Sequence, residues 1–302
     1  EEMRLKETAG HTRAYIKIQD GCNQFCSYCI IPYARGRVRS RAEQDILEEV
    51  RGLAERGYQE VVLTGIHISS YGIDRGTAAL AGLVEAIHEV DGIRRIRLGS
   101  LEPGIVTEEF TESLACLPKF CPHFHLSLQS GCDDTLKRMN RRYTTGEYYG
   151  KVALLREKFD HPAITTDVIV GFPAETQEEF ETTKAFLENV KFYEMHIFKY
   201  SKRKGTRAAA MDGQIPEETK NERSSLLLAM AQADSKRFRE YYIGKETEVL
   251  FEEQKEIGGE VFQTGHTKQY VKVAKRTEER LDNRIVTGLA GGFLTDDILL
   301  MD

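Results

Sequence analysis

Three cysteines within eight residues carry the clearest chemistry in this sequence. Cys22, Cys26 and Cys29 follow the spacing Cys-x3-Cys-x2-Cys in a polar segment directly after a short apolar run. Three thiolates on one loop can each bind one iron of a 4Fe–4S cluster. Three protein ligands for four irons leave one iron without a protein ligand, so the spacing predicts a cluster with one open iron.

An open iron of this kind can bind the amino and carboxylate groups of S-adenosylmethionine. An electron from the cluster can then break the sulfonium bond and release a 5′-deoxyadenosyl radical, and this chemistry belongs to the cofactor. We therefore predict a 4Fe–4S cluster and S-adenosylmethionine as cofactors. The polypeptide must supply position, a dry pocket and the open coordination position.

Two other interpretations of the cysteines remain open. A zinc site usually has four ligands in paired spacing, and no fourth Cys or His lies near this loop. Free structural thiols seldom cluster in this way. The other cysteines, Cys116, Cys121 and Cys132, are irregularly spaced. We expect them to be ordinary buried thiols, with a second cluster as the alternative.

The elements that must position this loop alternate between strand and helix. The predicted strands cover residues 14–19, 60–64, 94–98, 123–128, 164–170 and 193–198. The predicted helices cover residues 42–56, 78–90, 107–117, 145–159 and 177–189, and the first of them has a possible capping box, Ser40 with Glu43. This alternation favours an α/β fold with a parallel sheet, as a partial or full (β/α) barrel whose working face is at the carboxyl ends of the strands.

The pattern changes after one long predicted helix over residues 217–242. Short alternating strands are predicted over residues 247–251, 260–264, 270–274, 284–286 and 297–301, with glycine pairs between some of them. We therefore predict two domains, a (β/α) core over residues 1–244 and a small all-β barrel over residues 245–302.

Composition places the chain among globular proteins. Hydrophobic residues make up 40% and charged residues 30% of 302 residues, and the net charge is −6. No apolar run approaches the roughly 20 residues that a membrane span needs, and the first residues have no apolar signal core. We expect a cytoplasmic protein without membrane contact, and nucleic acid could bind only at local basic clusters.

The cysteine segment, residues 17–41, resembles the radical S-adenosylmethionine methylthiotransferases, and the run after Cys29 resembles the branch that modifies N6-threonylcarbamoyladenosine 37 of tRNA. Further matching segments are residues 64–67, 99–103, 128–131, 139–143 and 167–176. The resemblance covers essentially the whole chain, and residues 245–302 are similar to the TRAM RNA-binding barrel.

The resemblance implies a reaction and partners. A radical would abstract hydrogen from carbon 2 of adenine 37, and sulfur and a methyl group would then be installed. The partners would be a tRNA anticodon stem-loop and an electron donor of the flavodoxin or ferredoxin type. Alternatives are a methylthiotransferase acting on isopentenyladenosine tRNA or a ribosomal-protein aspartate, and a non-enzymatic iron–sulfur RNA-binding protein.

The resemblance also suggests residues that bind S-adenosylmethionine. Each has an ordinary alternative as a core, turn, cap or surface residue, and Asp167 stands where the superfamily motif usually has glycine. The predicted set is Tyr28, Thr64, Gly65, Ser100, Gln129, Arg142, Asp167 and Glu175.

Basic residues form two predicted RNA-binding segments on loops at the same end of the barrel. They are Arg35, Arg37 and Arg39 beside the cysteines, and Lys202, Arg203 and Lys204 after the sixth strand. A solvated charge run is the alternative. Residues 245–302 contain eight Lys/Arg and twelve Asp/Glu, a net charge of −4, so an RNA role there depends on the resemblance; Phe262, Lys268, Tyr270 and Lys272 are the candidates.

The family also carries an N-terminal domain with three cysteines for a second, auxiliary 4Fe–4S cluster, and nothing before Cys22 matches it. We expect that cluster only in a longer protein, and the chain reads as a truncated piece or a natural short form.

We predict that the chain by itself releases 5′-deoxyadenosine from S-adenosylmethionine but forms no methylthio product, because sulfur insertion in the family involves the auxiliary cluster. Anaerobic incubation with tRNA followed by mass spectrometry of the nucleosides checks this. A methylthiolated nucleoside formed by this chain would contradict it.

Overall fold

A curled sheet of six parallel strands forms the larger part of the molecule. The computed structural model describes residues 12–302. The strands that precede the long helix are β1 (Arg13–Asp20), β2 (Arg39–Ser40), β3 (Glu60–Gly65), β4 (Arg95–Leu98), β5 (His123–His125), β6 (Ala163–Val170) and β7 (Glu194–Lys199). All but β2 run parallel, in the orders β1-β3-β4 and β5-β6-β7. Bridges from Ile96 to Phe120 and from Leu101 to Leu126 join the two groups, so the predicted partial barrel is confirmed.

Eight helices are found in the described residues. They are α1 (Ile31–Arg35), α2 (Glu43–Glu55), α3 (Leu80–His88), α4 (Glu108–Ala115), α5 (Asp133–Arg138), α6 (Thr145–Lys158), α7 (Gln177–Val190) and α8 (Glu217–Glu240). The sequence pattern missed α1 and α5, which are too short to show a helical period. None of the described helices is both long and apolar enough to cross a bilayer.

Each strand of the curled sheet has one apolar face and one polar face. On β6, Ile164, Val168 and Val170 pack into the main core, whereas Thr165 and Asp167 point to the other side. We call the space that this second face encloses the lumen. Since successive side chains of a strand alternate, the lumen is lined by polar residues, and the sheet is not apolar on both faces.

The predicted capping box at Ser40 and Glu43 is wrong. Ala42 is the N-cap of α2 and no side chain caps it. Ser40 instead belongs to β2, where it pairs with Gln19 of β1, and its amide donates to the Asp74 carboxylate. Capping boxes are found at α6, between Thr144 and Glu147, and at α7, between Thr176 and Glu179.

A second, smaller unit of five strands follows α8. Its strands are β8 (Glu246–Ile257), β9 (Glu260–His266), β10 (Lys272–Lys275), β11 (Ile285–Thr295) and β12 (Ile298–Met301). They close into a barrel in the order β10-β12-β11-β8-β9, which confirms the predicted small β unit. The division at residue 244 stays a prediction, and β8 begins two residues after it.

The loop between β9 and β10 covers the amino-terminal ends of the core strands. Arg95 donates to the His266 carbonyl at 2.8 Å, and Arg97 donates to the Lys268 carbonyl at 2.9 Å. The Tyr270 ring stacks on His123 with centroids 5.4 Å apart. The small barrel therefore covers one end of the lumen, and the carboxyl ends of the strands lie at the other.

A buried carboxylate holds the charges at the covered end together. Glu60 is fully buried and bonds to Arg13 at 2.6 Å and to Arg97 at 3.0 Å, and Arg95 lies 3.8 Å away. Burial opposes ionisation, but the guanidinium groups of Arg97, Arg13 and Arg95 outweigh it and lower the pKa of Glu60 to about 2. Glu60 is therefore charged at neutral pH.

We predict that Glu60→Gln lowers the free energy of unfolding by about 3–5 kcal/mol, because it removes the buried anion that three arginines share and leaves Arg97 without a carboxylate partner. The folded pKa lies below the ordinary 4.5, so this stabilisation is present above about pH 4.5 and is lost as the pH falls towards 2. Urea unfolding at several pH values measures both effects. Glu89→Gln, at the exposed end of α3, is the control; equal stability of the two variants would contradict the prediction.

Candidate active site

The loop that carries the three cysteines is fixed at both ends by backbone contacts. Gly21 has φ 73°, and a Cβ there would meet the Arg37 carbonyl oxygen at 1.9 Å, so only glycine fits. The Cys22 amide donates to the Gly36 carbonyl at 3.1 Å. Further along, the Ser27 amide donates to the Met139 carbonyl at 2.9 Å. The loop is therefore clamped between the end of β1 and the end of α5.

The three cysteines of this loop form no disulfide bond with one another. Cys26 is buried, and Cys22 and Cys29 are half-buried, all as free thiols. Burial raises the pKa of Cys22 and of Cys29, and the neighbouring Cys26 sulfur raises each further. Such thiols are held in the neutral form until a cation arrives that favours the thiolate.

At least one pair of the sulfurs lies further apart than a single zinc ion would hold it. A tetrahedral zinc with bonds of about 2.3 Å holds its sulfurs about 3.8 Å apart. Within residues 12–302, the only Cys, His, Asp or Glu group whose three ligand atoms all lie within 4.8 Å of one another lies elsewhere, so at least one pair of the cysteine sulfurs is more than 4.8 Å apart. In a cubane each cysteine binds a different iron, so its sulfurs do not share one ion.

Arg141 is a cation in direct contact with the Cys26 sulfur, and sequence reasoning assigned it no role. Its Nη1 donates to the Cys26 Sγ at 3.4 Å, and its Nη2 donates to the Glu102 carboxylate at 2.8 Å. Its Nε also donates to the Tyr143 hydroxyl at 3.0 Å. The buried Arg141 guanidinium thus connects Cys26 to the segments that follow β4 and β5.

Glu102 is a second residue at this wall, and the sequence placed it in a matching segment without indicating a role. Burial favours its neutral form, but the His67 ring, 3.8 Å away, and the hydrogen-bonded Arg141 guanidinium outweigh this and lower the pKa of Glu102. The Gln24 amide lies 3.4 Å from the His67 ring. Gln24, His67, Glu102 and Arg141 form one polar wall beside the cysteine loop.

The first predicted S-adenosylmethionine residues lie at this mouth. Tyr28 is mostly buried and packs edge-on against Phe172, with ring centroids 6.4 Å apart. The Thr64 hydroxyl donates to the Ile16 carbonyl at 3.2 Å. A Cβ on Gly65 would meet the Gln19 carbonyl at 2.8 Å, so packing of the strands requires glycine there without any ligand. Their role in binding stays a prediction.

Ser100, Gln129 and Arg142 differ in how close they come. Ser100 is exposed just after β4, and Gln129 is buried with φ 73°, a conformation rare for non-glycine residues. The Gln129 amide and carbonyl bond to Asp167 and Ile169 of β6, which holds this backbone in place. Arg142 is exposed and lines an outer surface cleft with Glu147, so it is Arg141 that faces the cysteines.

Asp167 and Glu175 lie at different places along the same chain segment. Asp167 is on the lumen face of β6, 3.3 Å from the His125 ring. Glu175 is buried and accepts hydrogen bonds from the Gly171 amide at 3.0 Å and from Arg223 at 2.6 Å. Burial raises the pKa of Glu175 despite these partners. Its side chain braces the segment after β6 and does not cap α7, whose N-cap is Thr176.

The two predicted basic segments lie on either side of the cysteine loop. Both sets are exposed: Arg35, Arg37 and Arg39, and Lys202, Arg203 and Lys204. The Ala208 amide, which follows the second segment, donates to the Ser27 carbonyl at 2.8 Å. The positive charge of Arg203 lowers the pKa of Cys29 and so opposes the increase that burial causes. Their binding of RNA stays a prediction.

The candidate RNA residues of the small barrel are occupied by internal contacts. Phe262 is 2% exposed and belongs to the barrel's own core. Tyr270 lies between His266 and the core cations, with the Arg97 guanidinium 4.8 Å from its ring. Lys268 donates to the Pro118 carbonyl at 2.8 Å. Of the four candidates, Lys272 alone is left without such a contact among the described residues.

The comparisons with known proteins agree with this site. The family model described as the radical SAM superfamily matches residues 16–187 and thus includes all three cysteines. The chain belongs to the radical SAM superfamily. In this superfamily the residues at hand fit a 4Fe–4S cluster held by Cys22, Cys26 and Cys29, with S-adenosylmethionine beside it.

Two kinds of named relative are similar to this radical SAM chain. The threonylcarbamoyladenosine tRNA methylthiotransferase MtaB of Bacillus subtilis is 41% identical over 288 residues, which is 95% of this chain and 64% of the relative. The tRNA-2-methylthio-N(6)-dimethylallyladenosine synthase of Acetivibrio thermocellus is 42% identical, over 85% of this chain and 53% of the relative. The chain thus spans about half to two thirds of the length of these relatives.

Solved structures share the fold. The radical S-adenosylmethionine methyltransferase TsrM of Kitasatospora setae, with cobalamin and a [4Fe-4S] cluster bound, has a TM-score of 0.55 at 19% identity, over 65% of this chain and 38% of TsrM. Coproporphyrinogen III oxidase (HemN) of Escherichia coli, a radical SAM enzyme, also has a TM-score of 0.55, at 16% identity over 75% of this chain and 54% of HemN. At these identities the likeness concerns the fold alone.

We predict that Arg141→Met lowers the reduction potential of the cluster, because the cluster loses a positive charge and a hydrogen bond to a ligating sulfur. The change also leaves the buried Glu102 carboxylate with only His67, 3.8 Å away, as a partner, at a cost of up to about 3–5 kcal/mol in unfolding free energy. Redox titration monitored by electron paramagnetic resonance measures the potential.

The double variant Arg141→Met/Glu102→Gln separates the two effects. It should recover much of the lost stability, and its potential should lie above that of Arg141→Met, because the negative charge of Glu102, which acts on Cys22, is removed as well. Arg142→Met, one residue away and exposed, is the control. An unchanged potential in Arg141→Met, or an equal shift in the control, would contradict a direct effect of Arg141 on the cluster.

Proposed function

We propose that this chain is the catalytic part of a radical S-adenosylmethionine methylthiotransferase that modifies carbon 2 of N6-threonylcarbamoyladenosine 37 in tRNA. The observation that carries the proposal is the three-cysteine site at the mouth of a partial barrel, with an exposed basic segment on each side. The 41% identity of this chain to the MtaB relative, over 95% of the chain, supports the same reaction.

The residues have distinct tasks in this proposal. The cluster, when bound, supplies the electron that cleaves S-adenosylmethionine. Cys22, Cys26 and Cys29 hold it and leave one iron free of protein ligands, and Arg141 balances negative charge at Cys26. The small barrel covers the opposite end of the lumen and keeps water from entering there, so the substrate base enters at the cysteine end.

The basic segments explain how a strongly structured RNA would be held. Arginine and lysine contacts to phosphates set the position of an RNA without reading its sequence, and a base in a single-stranded loop can be splayed out into a pocket. Arg35 and Arg37 on one side and Lys202 and Lys204 on the other are placed for such contacts with an anticodon stem-loop. The electron donor would be a flavodoxin- or ferredoxin-type protein of the cytoplasm.

A second substrate has specific support. Relatives named for dimethylallyladenosine tRNA are 42% identical to this chain, as similar as those named for threonylcarbamoyladenosine. The run of arginines after Cys29 favours the threonylcarbamoyl branch, and the exposed basic segments favour RNA over a ribosomal-protein aspartate. Nucleoside analysis of tRNA from cells that lack the gene distinguishes these substrates.

We predict that anaerobically reconstituted chain holds about four irons and, once reduced, releases 5′-deoxyadenosine from S-adenosylmethionine. Cys26→Ala should lose both properties, whereas Cys116→Ala should keep them, because Cys116 lies outside the site and is exposed, contrary to the expected buried thiol. Iron analysis and chromatography of the products measure this. An intact cluster that cleaves no S-adenosylmethionine would instead favour a non-enzymatic RNA-binding protein.

We predict that replacing Lys202, Arg203 and Lys204 with alanine weakens tRNA binding and flattens its salt dependence. The log–log slope should fall by about 0.7–0.9 for each phosphate that the variant no longer neutralises. Filter binding at several salt concentrations measures the slope. The control is alanine at Lys255, Arg276 and Arg280, three exposed cations of the small barrel. Equal slopes in the two triple variants would contradict this RNA surface.

A further inference from the structure

Two histidines and an aspartate form a second cluster of metal-ligating side chains, apart from the cysteine loop. His125 lies on β5, Asp167 on β6 and His196 on β7. One ligand atom from each lies within 4.8 Å of the other two. The closest pair, His125 Nε2 and Asp167 Oδ2, is 3.3 Å apart.

The three side chains come from three adjacent strands and share one face. Asp167 is opposite His196 in the parallel register of β6 and β7, and His125 is opposite Thr165 in that of β5 and β6. Their chain neighbours Phe124, Val168 and Met195 point the other way, into the main core. Because the three strands pair with one another, they hold these three side chains rigidly on the lumen wall.

The surroundings of His125 suit a histidine that binds a metal ion. Its Nδ1 lies 3.0 Å from the hydroxyl of Thr165, a residue that is 2% exposed. A hydroxyl can accept a hydrogen bond from Nδ1–H, which leaves the Nε2 lone pair free for a cation. Histidines that bind metals almost always have such a partner on the other ring nitrogen.

The remaining two side chains are accessible from the lumen. Asp167 keeps 29% of its side chain exposed, and His196 is exposed on β7, the last strand of the sheet. Within the described residues, no hydrogen bond to either ring nitrogen of His196 is found. By contrast, the lumen cations Arg13, Arg95 and Arg97 are all tied to carboxylates or carbonyls. The group formed by His125, Asp167 and His196 therefore has metal-binding atoms that the fold itself does not use.

We propose that His125, Asp167 and His196 bind a divalent transition-metal ion of the zinc–iron class in the lumen. Two imidazoles and one carboxylate are the ligand set of many catalytic zinc and non-haem iron sites, and three protein ligands leave a coordination position open. Ligand atoms around such an ion are about 3.3–3.5 Å apart. The His125–Asp167 pair already has that distance, and the exposed His196 ring, within 4.8 Å of both, has to approach by at most about 1.5 Å.

This site lies deeper in the lumen than the cysteine site. His125 precedes Ser127 by two residues, about 7 Å of strand, and it is the Ser127 carbonyl that accepts from Arg141 at the mouth. Its open position would face whatever base or side chain enters the lumen. The proposal does not depend on which substrate that is, and it gives Asp167 a partner other than S-adenosylmethionine.

Zinc binding to the cluster-loaded chain tests the proposal. The anaerobic protein is passed over chelating resin, titrated with Zn²⁺ against a competing chelator, and analysed for zinc by mass spectrometry. Diffraction data above and below the zinc absorption edge separate zinc from the iron of the cluster. We expect one zinc per chain and an anomalous peak between the three side chains.

Variants tie the binding to these residues. Asp167→Asn and His196→Asn should weaken it by at least about 100-fold, and Thr165→Val by roughly 10–100-fold, the usual cost of losing a supporting hydrogen bond. His88→Asn, on α3 outside the lumen, should change nothing. Iron content and circular dichroism check that each variant folds.

Three results would overturn the proposal. They are no zinc retained by the unmodified chain, a peak elsewhere, or unchanged zinc affinity in Asp167→Asn and His196→Asn. If Asp167→Asn weakens binding of S-adenosylmethionine and leaves zinc content intact, Asp167 belongs to the cofactor site predicted from the sequence. None of these results bears on cleavage of S-adenosylmethionine by the cysteine site, so the two proposals fail separately.

Discussion

The contact on which the site depends is the one between Arg141 and the Cys26 sulfur. When a cluster is bound, its three thiolates lie near the Glu102 carboxylate in a mostly buried mouth, and without a buried cation these negative charges would repel one another in a medium of low dielectric. Arg141 satisfies both the sulfur and the carboxylate with one planar group that cannot lose its proton. It reaches them because Asn140, with φ 59°, turns the chain after α5 and donates to the Phe25 carbonyl of the cysteine loop.

The lumen behind this mouth is a polar tube covered at its far end. Glu60 binds the arginines of β1 and β4 there, and the arginines of β4 also hold the carbonyls of the β9–β10 loop, so one charge cluster joins the core to the small barrel. Tyr270 fills the remaining space between them. The small barrel thus has a structural role that is compatible with its acidic composition. An RNA-binding role for it could not use Phe262 or Tyr270, because internal contacts occupy both side chains.

Much of the fold could be predicted from the sequence, since long elements with a clear period are determined by local patterns. The six core strands and the long helix α8 were found within a few residues. Short elements were missed where tertiary contacts decide: Ser40, which has the spacing of a cap, is taken into β2. The polar lumen was not predicted, because the sequence analysis used the apolar runs to find the strands and assigned no face to the polar residues between them.

At the site, residue types were easier to predict than directions. The cysteines follow from spacing alone. The choice between Arg141 and Arg142 depends on one backbone turn at Asn140, and nothing local in the sequence fixes that turn. Likewise, His125 and Asp167 are 42 residues apart in sequence and Asp167 and His196 are 29 residues apart, and only the register of three parallel strands brings them together.

The central claim is that the cluster has an iron that no side chain of the protein binds. Electron–nuclear double resonance on the reduced, cluster-loaded chain, with S-adenosylmethionine labelled at its amino nitrogen and carboxylate oxygen, measures this most directly. The account predicts strong hyperfine coupling between both labels and the cluster. An intact cluster that shows no coupling to either label, in the presence of saturating S-adenosylmethionine, would contradict it.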